Sequence, residues 1–176
     1  IYTDVHLVGR LDKDTTGIVI AARNGYVQEM LRRQGENGQL RKYYLAAVSP
    51  PPSPPSGKID APILRDRESI IKRKVSAEGV CAVTHYRTLS CREDYAVVEF
   101  LLETGRTHQI RVHCSHAGFP IIGDTLYGVE TVPPRAPHQL LHAYKTELIH
   151  PVTGEALAFT APLPQEWGRY APHTWP

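Results

Sequence analysis

Tyr95-Ala-Val-Val-Glu-Phe-Leu-Leu-Glu103, followed by Thr104-Gly-Arg-Thr-His-Gln-Ile-Arg-Val-His113, is an apolar run that breaks at a glycine into a polar one carrying two arginines. The first half is rich in β-branched and aromatic residues and apolar enough for a central strand. The second half winds as a helix over 106–117. Ile110, Cys114 and Ala117 then form a core-facing stripe, while His108, Arg111 and Ser115 share another face. A central strand delivering a polar helix start places side-chain and backbone donors at one end of a sheet. Such donors suit a phosphate or carboxylate, or simply face water.

Working outward, Val80–Leu89 predicts a neighbouring strand, and Arg41–Val48 (RKYYLAAV) another. The run Gly17-Ile-Val-Ile-Ala-Ala-Arg23 reads as a short buried strand. Asn24 then caps an amphipathic helix over 25–34 whose Val27, Met30 and Leu31 face inward before Gly35 ends it. The tract 49–57 (SPPPSPPSG) is barred from a sheet interior by its prolines and reads as an extended surface loop. Residues 58–75 hold six Lys/Arg and three acids and predict a hairpin or exposed arm. Leu140–Ile149, a Pro-Val-Thr-Gly turn and Ala156–Thr160 form a second hairpin. The expectation is one α+β domain over residues 1–176, with a mixed, mostly antiparallel sheet and short flanking helices.

Composition narrows the class. At 41% hydrophobic and 22% charged, the 176 residues are those of a globular protein. No apolar run reaches the length of a membrane helix, and three cysteines without a CxxC pair point to a reducing, cytoplasmic setting. The net charge of +2 conceals an asymmetry: residues 1–75 carry +5 and the remainder −3. A basic front half permits a polyanionic partner without requiring one.

Two constellations admit rival chemistries. Gly9-Arg-Leu-Asp-Lys-Asp-Thr-Thr-Gly17 has the residues of a polar turn. Its Asp12-x-Asp14-x-Thr16 spacing also fits aspartyl-phosphate phosphatases, in which one carboxylate attacks phosphorus. Those motifs end an apolar strand, whereas the apolar run here comes after, and no later acidic pair completes a magnesium site. His108, His113 and His116 invite a zinc reading, but they do not share one helical face and no thiolate pair accompanies them. Ordinary hydrogen-bonding histidines are the simpler account, and no metal is expected.

Taken together, these segments resemble the RluA-type pseudouridine synthases. The signature R-L-D-x-x-T-S-G stands here as Arg10 to Gly17, with Thr16 in place of serine; Gly9 occupies a position that is usually His in the RluA type and Gly in the RsuA type. K-x-Y-x-A-x-V is Lys42 to Val48, placing the family tyrosine at Tyr44. G-R-T-H-Q-I-R-V-H is Gly105 to His113, and G-D-x-x-Y-G is Gly123 to Gly128. The tail blocks Leu141-His142-Ala143 and His150 to Glu155 fit as well, with His138 where Arg is common. The strand pair and K-P-x-G segment with which the family begins do not precede Arg10 here, so the N-terminal element is read as missing, and there is no S4 RNA-binding domain.

The resemblance implies an isomerase that breaks the N1–C1′ bond of an RNA uridine, turns the base and rejoins it through C5, in ribosomal or transfer RNA. Asp12 would be the nucleophile or base. Arg111 would pair with it, and Tyr44 would stack on the base and help remove the C5 proton. The uridine must flip out of its helix, with Arg10 the candidate to fill the vacated space or grip the flanking phosphate. Thr15, Thr16, Arg106, His108 and Gln109 are further substrate-binding candidates. Arg65, Arg67, Lys72, Arg73 and Lys74 would track the RNA backbone. No cofactor is implied. The partner is RNA alone, for a monomer with no obligatory protein partner and no membrane. A non-catalytic RNA-binding fragment is the alternative.

Overall fold

In a computed structural model, which describes residues 4–128 and 136–170, the runs read as strands over 41–48, 95–103, 140–149 and 156–160 become strands, and the run read over 80–89 pairs from Val83 to Cys91 instead. In chain order the elements are β1 (His6–Leu7), β2 (Thr16–Gly17), β3 (Ala21–Ala22), α1 (Gly25–Glu36), β4 (Arg41–Val48), β5 (Ser56–Asp60), β6 (Ile63–Arg65) and β7 (Arg73–Val75). β8 (Val83–Cys91), β9 (Ala96–Leu102), α2 (Gln109–His116), β10 (Leu141–Ile149), β11 (Ala156–Thr160) and a 3-10 segment (Gln165–Tyr170) follow. The main sheet runs β11-β10-β4-β9-β8-β5, antiparallel throughout, and β2 joins it in parallel with β10.

Period-two alternation along β4 sorts its side chains onto two faces. Tyr44, Ala46 and Val48 pack with Phe100, Ala143 and the Ile110 and Cys114 stripe of α2. Leu45 and Ala47 pack on the opposite face with Val97, Tyr144, Trp167 and Tyr170. Both faces are therefore covered, and β4 and β9 are the central strands that their apolar runs require. α1 begins where Asn24 accepts a hydrogen bond from Val27 N at 2.9 Å. It runs past Gly35 to Glu36 and covers Val8, Ala22, Leu40 and Leu148 with Leu31.

Two expectations need correction. Gly17–Arg23 is not one buried strand: Val19 is 49% exposed, and only Thr16–Gly17 and Ala21–Ala22 pair. The chain changes partners there, from β10 at β2 to the short β1 at β3. Gly17 makes this crossing possible. It has φ +113°, and a Cβ there would lie 2.2 Å from Ala143 O. Secondly, α2 starts at Gln109 rather than Arg106, and Ala117 and Ser115 are exposed while Arg111, Val112 and His113 are buried. The helix is sunk by its first turns, not along one stripe.

The arm over 58–75 divides. Lys58 and Asp60 belong to β5 in the main sheet, whereas β6 and β7 form a separate two-stranded hairpin seated on Ala82, Val112 and Tyr127. Among the described residues, no helix is long and apolar enough to cross a membrane.

Candidate active site

The nine residues from Gly9 to Gly17 form a loop whose second half is held by side chains distant in the chain. Thr15 N donates to Asp12 O at 3.0 Å, closing a turn in which Asp14 takes the left-handed conformation, φ +66°. Gln139 Nε2 donates to Lys13 O at 2.5 Å and to Thr15 Oγ1 at 3.3 Å. The Thr16 hydroxyl bonds His142 Nδ1 at 2.8 Å. The effect is to present Asp12 with its carboxylate 23% exposed. Among the described residues that carboxylate accepts no hydrogen bond; its nearest cation is Arg111 Nη1 at 3.8 Å.

Arg111 does not make the direct hydrogen bond to Asp12 that the sequence suggested. Its fork is taken by Asp124, with Nε and Nη2 each donating at 2.7 Å to one carboxylate oxygen. Asp124 Oδ1 also accepts from Leu126 N and Tyr127 N at 2.9 and 3.1 Å, so the Gly-Asp-x-x-Tyr-Gly turn is folded around this carboxylate. The Tyr127 ring lies beneath the guanidinium, 5.2 Å from centroid to Cζ. The result is a dry bidentate pair whose third nitrogen is turned toward Asp12. Arg111 and Asp124 side chains are 4% and 1% exposed. A planar fork is what makes this double engagement possible.

Tyr44 enters from β4, its ring in the front core and 8% exposed. Its phenol is pushed up to about 12, chiefly by burial and then by the negative charge of Asp12. Among the described residues the Tyr44 hydroxyl has no protein hydrogen-bond partner. His108 takes the left-handed conformation at the cap of α2, φ 58°, and its Nδ1 bonds the Tyr127 hydroxyl at 2.8 Å. Burial lowers its imidazole below the ordinary histidine value, against the opposing pull of Asp12. The same Tyr127 hydroxyl accepts from Arg73 N at 2.8 Å, tying the basic hairpin to the site.

The remaining sequence candidates fall into two groups. Arg10, Arg106 and Lys72 are exposed, as is Lys74, whose Nζ is 3.2 Å from Asp66. Arg106 Nε donates to Cys81 O, and the Arg73 guanidinium folds back on Ile71 O and Lys72 O. Gln109, by contrast, is 2% exposed and has no surface to offer a substrate. Its Oε1 accepts from Thr104 Oγ1 and Arg106 N, and its Nε2 donates to Val83 O and Thr84 Oγ1. It braces the turn between β9 and α2. The Thr15 and Thr16 hydroxyls are likewise engaged in anchoring the loop. His113 lies buried between Thr84 Oγ1 and Ala61 O. Sequence reasoning overlooked Asp124, Tyr127, Gln139 and His142 as parts of the site; the Gly123–Gly128 motif was the signal for the first two. The antiparallel sheet also removes the phosphatase reading, because Asp12 follows a two-residue strand rather than a parallel, buried one.

The chain matches the family model described as RNA pseudouridylate synthase over residues 2–116. It is 43% identical over 165 residues to the uncharacterized RNA pseudouridine synthase YjbO of Bacillus subtilis (strain 168), covering 94% of this chain and 58% of that protein. It is 39% identical over 175 residues to a ribosomal large subunit pseudouridine synthase D of Xanthomonas campestris, covering 93% of this chain and 53% of that one. Among solved structures, human RNA pseudouridylate synthase domain containing 4 superposes with a TM-score of 0.78 at 28% identity, covering 94% of this chain and 75% of that chain. This chain belongs to the RNA pseudouridylate synthase family. It spans about half the length of the curated relatives it matches.

Proposed function

We propose that this chain carries the catalytic site of an RluA-type RNA pseudouridine synthase, with Asp12 as the reacting carboxylate. The observation that carries this reading is the state of Asp12: aimed by a bolted loop, faced by a buried guanidinium and, among the described residues, accepting no hydrogen bond that would occupy its lone pairs. Such a carboxylate can add to the sugar or base, or take the C2′ proton. The N1–C1′ bond breaks, the base turns, C5 bonds to C1′ as any bond to Asp12 is released, and the C5 proton is lost while N1 gains one, so no external reactant is consumed. Arg111 faces Asp12 with one nitrogen without hydrogen-bonding it, because its close hydrogen bonds are spent on Asp124. Tyr44, uncharged at neutral pH, offers its ring face and its hydroxyl to the base and can pass the C5 proton on only by giving up its own.

The partner is RNA, ribosomal or transfer. A uridine in a stem must leave the stack to reach Asp12, with Arg10 beside the gap. The hairpin with Arg65, Arg67, Lys72, Arg73 and Lys74 supplies the backbone contacts. The relatives named for the large ribosomal subunit support ribosomal RNA as the first substrate to try. The protein acts as a cytoplasmic monomer that needs no cofactor. The test is tritium release from RNA labelled at uridine C5. Wild-type protein releases it, and Asp12→Asn, nearly isosteric, abolishes release while retaining RNA binding. Near-normal turnover by Asp12→Asn overturns the site. RNA binding without release by the wild type leaves the non-catalytic alternative.

A further inference from the structure

Lys42 is the one charged residue of the β4 motif Lys42–Val48, and the chemistry above does not use it. It lies two residues before Tyr44 on β4 and so on the same face of the sheet. Its side chain is half-buried and, among the described residues, forms no ion pair. Burial alone lowers its ammonium below the ordinary lysine value. An ammonium removed from water without a counter-ion is costly, and the contact it makes is specific. Nζ donates to Val8 O at 3.0 Å. The approach is open because residue 9 is glycine at φ +89°: a Cβ there would stand 2.6 Å from Lys42 Nζ. Val8 N in turn donates to Ile20 O at 2.8 Å, so the strand entering the loop is held from both sides.

We infer that Lys42 and Gly9 act together as a positioning device, the ammonium seating the Val8–Gly9 peptide and thereby setting where Arg10, Leu11 and Asp12 emerge beside Tyr44. The loop's far end is held by Gln139 and His142, and its near end by Lys42. A carboxylate that accepts no hydrogen bond among the described residues depends on the backbone on both sides for its aim, and misplacement of about 1 Å is enough to slow a reaction by roughly a hundredfold. Lys42 touches no reacting atom in this scheme, which rests on Asp12 being the reacting group.

The test pairs Lys42→Met, which keeps the length and removes the donor, with Gly9→Ala, which displaces the ammonium and leaves Lys42 in place. Each is expected to slow single-turnover isomerisation at saturating RNA at least tenfold, with RNA affinity within twofold of wild type. Amide hydrogen exchange over residues 8–12 rises while that of β4 and β9 does not. The double variant is no slower than the worse single one, because both break the same contact. Wild-type turnover by Lys42→Met overturns the inference. So does a loss that follows RNA affinity, which would make Lys42 a phosphate contact, and so does a double loss equal to the product of the singles. If Lys42→Met does not fold, Gly9→Ala decides by the same two readouts. A wild-type protein that releases no tritium defeats the pseudouridine reading, while hydrogen exchange still decides the role of Lys42.

Discussion

The buried Arg111–Asp124 pair and the basic hairpin of β6 and β7 are built from the same kinds of residue, meet at Tyr127, and behave oppositely. At the pair, two charges are almost wholly removed from water, and each carboxylate oxygen accepts from one nitrogen of the fork. On the hairpin, Lys72 and Lys74 stand in solvent, and Ile70 at its tip is 86% exposed. Dry charges are expensive to separate and exact in direction; wet ones are cheap, adaptable and screened by salt. A reaction centre needs the first kind. A surface that follows the backbone of a polyanion needs the second, and the Tyr127 hydroxyl joins them by holding Arg73 N and His108 Nδ1 at once.

The largest effect is expected at the dry end. Asp124→Ala leaves a buried guanidinium with neither of its hydrogen-bonded carboxylate oxygens, only Asp12 remaining at 3.8 Å, and should cost about 3–5 kcal/mol, a fall in melting temperature of roughly 6–20 °C for a chain of this size. Thermal unfolding measures it. If Asp124→Ala melts like wild type, the pair is not the dry element the comparison supposes. Arg111→Lys keeps the charge but not the fork, and should lose activity while Asp124 stays partly paired.

Tyr44→Phe removes only a hydroxyl that has no partner among the described residues. Stability should hardly move, whereas single-turnover rate should drop by tenfold or more with RNA affinity nearly constant. Equal losses of rate and affinity would mean that the hydroxyl holds substrate rather than moving a proton.

Acid sharpens the contrast between buried and exposed histidines. His108, His113 and His142 all have imidazoles lowered by burial from the ordinary value of 6.5. The unfolded chain binds these protons before the folded one does, so stability is full above about pH 6.5 and declines as pH falls below it. Denaturant melts between pH 7.5 and 5.5 should show that decline, and His113→Gln should lessen it. A slope unchanged by His113→Gln would assign the decline to the other two.

The smallest effect on stability belongs to the wet end. Neutralising Lys72, Arg73 and Lys74 together should leave melting almost unchanged, weaken every RNA alike and flatten the salt dependence of binding by a slope of roughly 2, at about 0.7 per charge on single strands. A loss confined to one RNA sequence would make the hairpin a reader of bases.

The sequence was legible wherever local chemistry decides. β4 spans the run Arg41–Val48 that its composition marks, β9 lies centrally as its apolar residues require, and the β10–β11 hairpin turns at its Pro-Val-Thr-Gly. Asn24 caps α1 as a polar residue before an amphipathic run should. The family motifs singled out Asp12, Tyr44 and Arg111, which the fold gathers from a loop, a strand and a helix far apart in the chain. What local pattern could not supply was which acid Arg111 grips, what Lys42 is for, and where Gly17–Arg23 goes. A helical wheel puts Arg111 on a polar face with Ser115, but α2 is buried at its start and exposed at its end, so the same face is dry at one residue and wet at the next. Periodicity reports which side of an element is apolar; it carries no information about depth along that element. Nor does it say which of two carboxylates, Asp12 or Asp124, will stand opposite a guanidinium. That choice depends on how the loop before β2 and the turn after Ile121 meet across the sheet, and only the tertiary structure makes it.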